Sequence, residues 1–417
     1  MESRVPEGRV GRRRGGRRVN HFLGDSPGSG DPLRSSDVRR RNEKLVLRLI
    51  RETGDRGLSQ SEAVGSTGLR APTMLRIFSS LEESGYIEPL PPAASEEEGK
   101  ERKGRPPVSF AAKADAYYTL GVEFWVDRVS LGLFDFRGKH LSSSILSLRG
   151  GEDAETVTEV IAEGVRAAVA APGLAGESIL GLGLGAPGQV DVRSRRITFY
   201  SRIPGMRDYP MAEILERKLG IPVHLHNNCA VIALSEYRYG SVGKTDSLFM
   251  FLLRSGVNGA FIDHGRIHLT SDGTTLESGH IPIDYRGKPC VCGARGCLEP
   301  YLADLAKEDL AAGRYLFEGL GSALAAGDPK AREILREAAG YLASAVRSVR
   351  RLLNPRAFLF VTASAPVSDA LAALVPESLA EFPSGFDEPP AAFIGNVYNP
   401  GLVQRGAADL VLDVFLG

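Results

Sequence analysis

Three of the four cysteines fall within eight residues, Cys290-Val291-Cys292-Gly293-Ala294-Arg295-Gly296-Cys297. Thiolates this close together ligate soft or borderline metals, and three sulfurs leave one place in a tetrahedral zinc shell. His280, ten residues upstream in Glu277-Ser278-Gly279-His280, can fill it. The set His280, Cys290, Cys292 and Cys297 predicts a closed, structural zinc site with no open position for Lewis-acid chemistry. A disulfide framework is not expected, because three is odd and the residues read as cytoplasmic. Cys229 stands apart and reads as a small buried residue.

Such a loop needs a folded frame. The chain has 417 residues, 43% hydrophobic and 24% charged, enough for two to three domains with real cores. No apolar run approaches the roughly 18 residues of a spanning helix, and the Arg-rich start leads into no secretory segment. A cytoplasmic protein with no membrane partner is expected. The formal charge is zero, with 51 basic and 51 acidic residues, which at first argues against nucleic acid. Position changes that. Residues 1–105 hold 21 Lys/Arg against 16 Asp/Glu, and residues 106–417 hold 30 against 35. A basic front is joined to an acidic body.

Residues 1–35 are expected to be a disordered Arg-rich arm, because Gly, Pro and Arg give neither periodicity nor apolar area to offset ordering entropy. The arm either adds non-specific phosphate attraction or is a solvated tail. From Ser36, Val38, Asn42, Leu45, Val46, Leu49 and Ile50 recur at helical spacing, with Ser36 as candidate cap and Gly54 as stop. Ser59-Gln60-Ser61-Glu62 has the capping-box form. Pro72 opens a third helix that aligns Met74, Phe78 and Leu81. Tyr86 to Leu90 and Pro106 to Phe110 read as a two-stranded wing. Residues 36–112 therefore predict a winged helix-turn-helix domain that binds DNA. Arg70, Thr73 and Arg76 would read bases from the third helix, and Arg105, held extended in Gly104-Arg105-Pro106, would enter the minor groove. A plain solvated helix face is the alternative for the first three.

After Tyr117 the pattern turns to strands, an antiparallel meander, and then to alternating strands and helices. The order repeats after Gly240. Two similar α/β halves imply two lobes around a cleft.

Glu277-Ser278-Gly279-His280 together with Cys290 through Cys297-Leu298-Glu299 resembles the signature of the ROK family (repressors, open reading frames and sugar kinases). The resemblance covers about residues 36 to 417, and the helical module in front is similar to the repressor branch. It implies a two-lobed actin/hexokinase-like body, with residues 113–238 as lobe 1, completed by a C-terminal helix at 400–417. Residues 239–399 form lobe 2 with the zinc loop. It also implies a homodimer or homotetramer that binds operator DNA and responds to a monosaccharide or sugar derivative, as a repressor.

By the same resemblance, Glu277, His280 and Glu299 match positions that bind sugar hydroxyls, Gly188 matches a loop whose backbone approaches the sugar, and Asn227 matches the Asn of an Asn-Asp pair. The alternative for Glu277 and Glu299 is orienting the zinc ligands. Asn228 stands where the kinases carry the Asp that takes the proton from the sugar hydroxyl, and an amide cannot act as that base. It remains a candidate sugar contact. The first phosphate loop, Asp then a Gly pair in the kinases, here reads Glu123-Phe124-Trp125-Val126-Asp127, so Phe124 and Trp125 are expected to fill the nucleotide's space. Ser255-Gly256-Val257-Asn258-Gly259 keeps only part of a Gly-rich loop, and Thr362-Ala363 replaces another Gly pair. A sugar-responsive regulator that is no longer an enzyme is the expectation. The alternatives are a sugar kinase with an added DNA module, or a ligand-independent DNA-binding scaffold.

Overall fold

The computed structural model describes residues 34–91, 108–170, 178–243, 245–381, 385 and 389–417. The expected arm through residue 33 and the wing tip bearing Arg105 lie outside the described residues. The chain divides into two compact units, Met1–Ala116 with Leu412–Gly417, and Tyr117–Val411.

The smaller unit holds α1 (Ser35–Glu52), β1 (Leu58–Ser59), α2 (Gln60–Thr67), α3 (Ala71–Glu83), β2 (Ile87–Pro89) and β3 (Ser109–Ala112). The first helix starts two residues earlier than a Ser36 cap would place it. Arg34 is its N-cap, and the Asp37 carboxylate, not Ser36, accepts the Arg34 N–H at 2.9 Å. Its buried face is Glu43, Val46, Leu47 and Ile50, whereas Val38 and Leu45 of the expected stripe are exposed. The capping box of α2 forms as read: Ser59 N–H donates to Glu62 Oε2 at 2.8 Å and Glu62 N–H to Ser59 Oγ at 3.3 Å. Gly68 ends α2 in the left-handed region, φ 69°, which spares the Cβ penalty. Pro72 lies in the first turn of α3, and Met74, Ile77, Phe78 and Leu81 are buried beneath it. Phe78 meets Phe110 of β3 edge to face at 5.3 Å. β3 pairs antiparallel with both β1 and β2.

The larger unit is built twice on one plan. The first sheet has the order β11-β7-β4-β5-β6 and the second β14-β13-β12-β15-β16. Each consists of three antiparallel strands extended by two parallel ones. The first lobe runs β4 (Tyr118–Phe124), β5 (Arg128–Asp135), β6 (His140–Ser147), α4 (Ala154–Val169) and β7 (Ile179–Ala186). A small antiparallel sheet follows, β8 (Gln189–Asp191), β9 (Arg196–Phe199) and β10 (Arg207–Tyr209), then α5 (Met211–Leu219), β11 (Val223–Asn227) and α6 (Asn228–Tyr239).

The second lobe begins with β12 (Ser247–Leu253), β13 (Val257–Asp263) and β14 (Arg266–Ile267). The helices α7 (Leu298–Leu305), α8 (Lys307–Ala311), α9 (Leu320–Ala325) and α10 (Pro329–Leu352) come next. The chain ends with β15 (Ala357–Thr362), α11 (Ala365–Glu381), β16 (Ala392–Val397) and α12 (Pro400–Leu416).

Strand alternation explains the cores. Phe249, Phe251 and Leu253 of β12 enter a core with α7, α10 and α11, while Leu248, Met250 and Leu252 face α6 and α12. Both faces are covered, hence the near-continuous apolar run. On the first sheet α12 comes so close that a Cβ on Gly183 would lie 1.7 Å from Ala407 O, and one on Gly121 1.8 Å from Gln404 O. Only glycine fits there.

Gly183→Ala is therefore expected to cost on the order of 3 kcal/mol or more. Gly340→Ala, in the exposed middle of α10 with nothing within 4 Å, should be neutral or stabilise by up to about 1 kcal/mol. Thermal melts of the two variants check the contrast.

Candidate sugar pocket and metal centre

Between β14 and α7 the chain has little regular structure. Its order comes from close backbone contacts and one convergence of side chains. Glu277 precedes a single 3-10 turn, Ser278–His280, and a Cβ on Gly279 would lie 2.1 Å from Val257 O, so this turn presses on the start of β13. Downstream, Pro289 pairs with Arg295 and Pro282 with Cys297. These bridges form a tight hairpin that carries Cys290 and Cys292. Gly296 has φ 71°, and a Cβ there would meet Asp284 O at 1.4 Å.

The metal-ligating atoms of His280, Cys290, Cys292 and Cys297 all lie within 4.8 Å of one another. A tetrahedral zinc with Zn–S near 2.3 Å and Zn–N near 2.0 Å demands S···S edges of about 3.8 Å and S···N edges of about 3.6 Å. Cys292 Sγ and Cys297 Sγ are 3.7 Å apart, and Cys290 Sγ is 3.4 Å from His280 Nδ1. The donors fit a metal of that size. Burial and the neighbouring thiols push the Cys297 thiol up to about 12, whereas backbone and side-chain hydrogen bonds, that at Ala294 first, hold the Cys292 thiol below its ordinary value. Three adjacent thiolates need a cation to coexist. Because Nδ1 faces the sulfurs, Nε2 is left on the opposite edge of the ring as a hydrogen-bonding atom. Cys229 is fully buried, as expected, and burial keeps its thiol protonated.

Glu299 stands in the first turn of α7, where its Oε2 accepts the Val257 N–H at 2.8 Å. Burial raises the Glu277 carboxyl above its ordinary range; His280 and a hydrogen bond from the Gln189 side chain oppose that rise, and Glu299 adds to it. Gln189 belongs to the first lobe, so it ties the zinc-type loop to the segment after Gly188. Gly188 has φ 78°, and a Cβ there would lie 2.4 Å from Phe199 O. Its carbonyl accepts from Asn227 Nδ2 at 2.7 Å. Asn227 Oδ1 accepts from the N–H groups of Cys229 and Ala230 at 2.8 and 3.3 Å, capping α6. Asn227 thus orients the Gly188 loop and starts the helix. Asn228, the next residue, is buried with its Nδ2 unpartnered among the described residues.

The six candidate sugar residues come from both lobes: Gly188 from the turn after β7, Asn227 and Asn228 from the junction of β11 and α6, Glu277 and His280 from the 3-10 turn region, and Glu299 from the first turn of α7. Sequence reasoning gave Gln189 no role, since a lone amide in a short strand carries no signal. On the nucleotide side the structure corrects one expectation. Phe124 alternates with Leu120 and Val122 into the first-lobe core, so only Trp125 lies in the turn. Gly256 and Gly259 also have a packing reason: a Cβ would meet Glu299 Oε2 at 2.8 Å and Ser278 Oγ at 2.3 Å. Glu123 is fully buried, accepts a hydrogen bond from Tyr398 Oη, and is pushed up to about 7 by burial. Arg70, Thr73 and Arg76 are exposed at the start of α3, spaced three apart and so on one side.

A family model for ROK matches residues 119–414. The chain belongs to the ROK family. Among curated ROK relatives, the xylose repressor of Caldicellulosiruptor bescii is 24% identical over 265 residues, 64% of each chain. The chain thus spans just under two thirds of that relative's length. A solved ROK family transcriptional regulator, a homolog of the Escherichia coli MLC protein, superposes with TM-score 0.73 at 20% identity, covering 91% of this chain and 97% of that one. The ROK hexokinase of Thermus thermophilus superposes with TM-score 0.59 at 27% identity, covering 72% and 100%. The α/β, actin/hexokinase-like ROK fold follows. Among the described residues no helix is long and apolar enough to cross a membrane.

Elemental analysis is expected to find one metal ion per chain. Cys297→Ser should lose it and melt at lower temperature, while Cys229→Ser should keep it.

Proposed function

We propose that this ROK protein is a DNA-binding transcriptional regulator, a repressor, whose body senses a monosaccharide or sugar derivative without phosphorylating it. One observation carries the reading: a three-helix, three-stranded unit with an exposed Arg70-Thr73-Arg76 face is joined to a ROK body in which Asn228 stands at the base position. That unit has the form of a winged helix-turn-helix, with α3 as the reading helix in the major groove. Arg105, which lies outside the described residues, is proposed to add backbone or minor-groove contact. The likeness to a xylose repressor and to a ROK transcriptional regulator supports the same assignment.

In the body, the sugar lies between the Gly188 loop and the Glu277, His280 and Glu299 side chains. Two carboxylates accept from adjacent hydroxyls, and His280 Nε2 offers a hydrogen bond from a fixed ring. Zinc, held by His280, Cys290, Cys292 and Cys297, supplies rigidity to that loop. Asn228 can donate to a sugar oxygen but cannot take its proton. Binding shifts the balance between two arrangements of a homodimer or homotetramer and so alters the spacing of paired reading helices.

Fluorescence anisotropy with DNA from upstream of the gene tests the front unit. Arg76→Ala should lose about 1–3 kcal/mol of discrimination against random DNA, and Arg105→Ala should weaken all sequences alike. Wild-type protein with no preference for that DNA would overturn the regulator reading. A thermal-shift screen of monosaccharides tests the body: one sugar should raise the melting temperature, and Glu277→Ala should abolish the rise. With that sugar and Mg·ATP, ADP release should stay at the sugar-free background; turnover would restore the kinase reading.

A further inference from the structure

Arg254, just after β12, is 3% exposed. A guanidinium taken out of water needs compensation, and no carboxylate pairs with it directly among the described residues. It is surrounded by rings. Its central carbon lies 4.4 Å from the Trp125 ring, 4.3 Å from that of Tyr315 and 4.0 Å from that of Tyr398. Arg254 Nη2 also donates to Tyr315 Oη at 2.6 Å, and the same oxygen accepts from Arg128 Nη2 at 2.8 Å. Tyr398 Oη donates to the buried Glu123 carboxylate, and Arg128 is paired with Asp127 at 2.9 Å. Counting Asp127, two guanidiniums stand beside two carboxyl groups, and burial raises that of Glu123 to about 7.

Three of these contacts cross from lobe to lobe. Glu123, Trp125 and Arg128 come from β4, the β4–β5 turn and β5. Arg254, Tyr315 and Tyr398 come from the segments after β12, α8 and β16. Trp125 meets Arg254, Tyr315 meets Arg128, and Tyr398 meets Glu123. The turn is rigid on the first-lobe side, where Trp125 N–H donates to Arg128 O at 2.9 Å, and Leu316 N–H donates to Arg254 O at 2.9 Å on the other. Trp125 lies in the β4–β5 turn, where by the resemblance the kinases carry a Gly pair.

We propose that this six-residue clasp does within the chain what a nucleotide does between the lobes of a kinase: it bridges them at the mouth of the cleft, with the Arg254 cation as the internal occupant. The body is then a one-ligand device. Its lobes are joined before any effector arrives and without a nucleotide, and the candidate sugar residues remain to respond. The clasp stands on its own contacts and needs neither the DNA assignment nor the identity of the sugar, so its failure and theirs are separable.

Trp125 is the chain's single tryptophan, which makes the clasp directly observable in the full-length protein. Its emission in the absence of ligands should be poorly quenched by acrylamide and unchanged by millimolar Mg·ATP. Arg254→Lys keeps the charge but loses the flat fork and the stack, and should raise the quenching constant several-fold. Tyr315→Phe keeps the ring and removes only the oxygen shared by the two guanidiniums. It should give a smaller rise at an unchanged circular dichroism spectrum, and it decides the question if Arg254→Lys fails to fold. A wild-type Trp125 quenched like free indole, an emission change with Mg·ATP, or a folded Tyr315→Phe with wild-type quenching would each overturn the proposal.

Discussion

The convergence of His280, Cys290, Cys292 and Cys297 is the constraint on which the candidate pocket depends. The stretch from the end of β14 to α7 spans some thirty residues with one 3-10 turn and two isolated bridges. Loops of that length without internal structure are rarely ordered on their own. Here the four donors draw the middle of the stretch, at His280, onto its last eight residues, and the α7 N-terminus carrying Glu299 follows directly from Cys297. Glu277, three residues before His280, is set by the same knot. Release of the knot would free two carboxyl groups and the imidazole at once.

The two lobes meet at two places with different groups. At the candidate sugar residues, Asn228 Nδ2 is unpartnered among the described residues, and His280 turns Nδ1 toward Cys290 Sγ. Around Arg254 three aromatic rings pack on the guanidinium, with Glu123 Oε1, Trp125 Nε1 and Arg254 Nη1 also unpartnered among the described residues. Glycines elsewhere serve packing, as at Gly183 under α12 and Gly256 beside Glu299. A glycine-rich segment therefore does not by itself mark a phosphate site.

Local features were legible in the sequence because their causes are local. The Ser59–Glu62 capping box, Pro72 opening α3 and the cysteine cluster each rest on residues within a few positions of one another. The buried face of α1 was only partly legible, since tertiary packing selects Leu47 over Leu45 from two equally apolar choices. Phe124 was misread for the same reason: resemblance placed it in a loop, while strand alternation sends it into the core. The small sheet β8 to β10 and helix α11, with Pro376 inside it, gave weak periodic signals. The Arg254 cluster was invisible, because its members lie up to 275 residues apart and no spacing rule links them.

Sugar binding to the body is proposed to set the protein's affinity for DNA. The most direct test is the affinity of the full-length, metal-loaded protein for its upstream DNA, measured by anisotropy with and without the stabilising sugar. A coupling of roughly 5- to 150-fold is predicted, lost in Glu277→Ala. Equal DNA affinity at saturating sugar would contradict it.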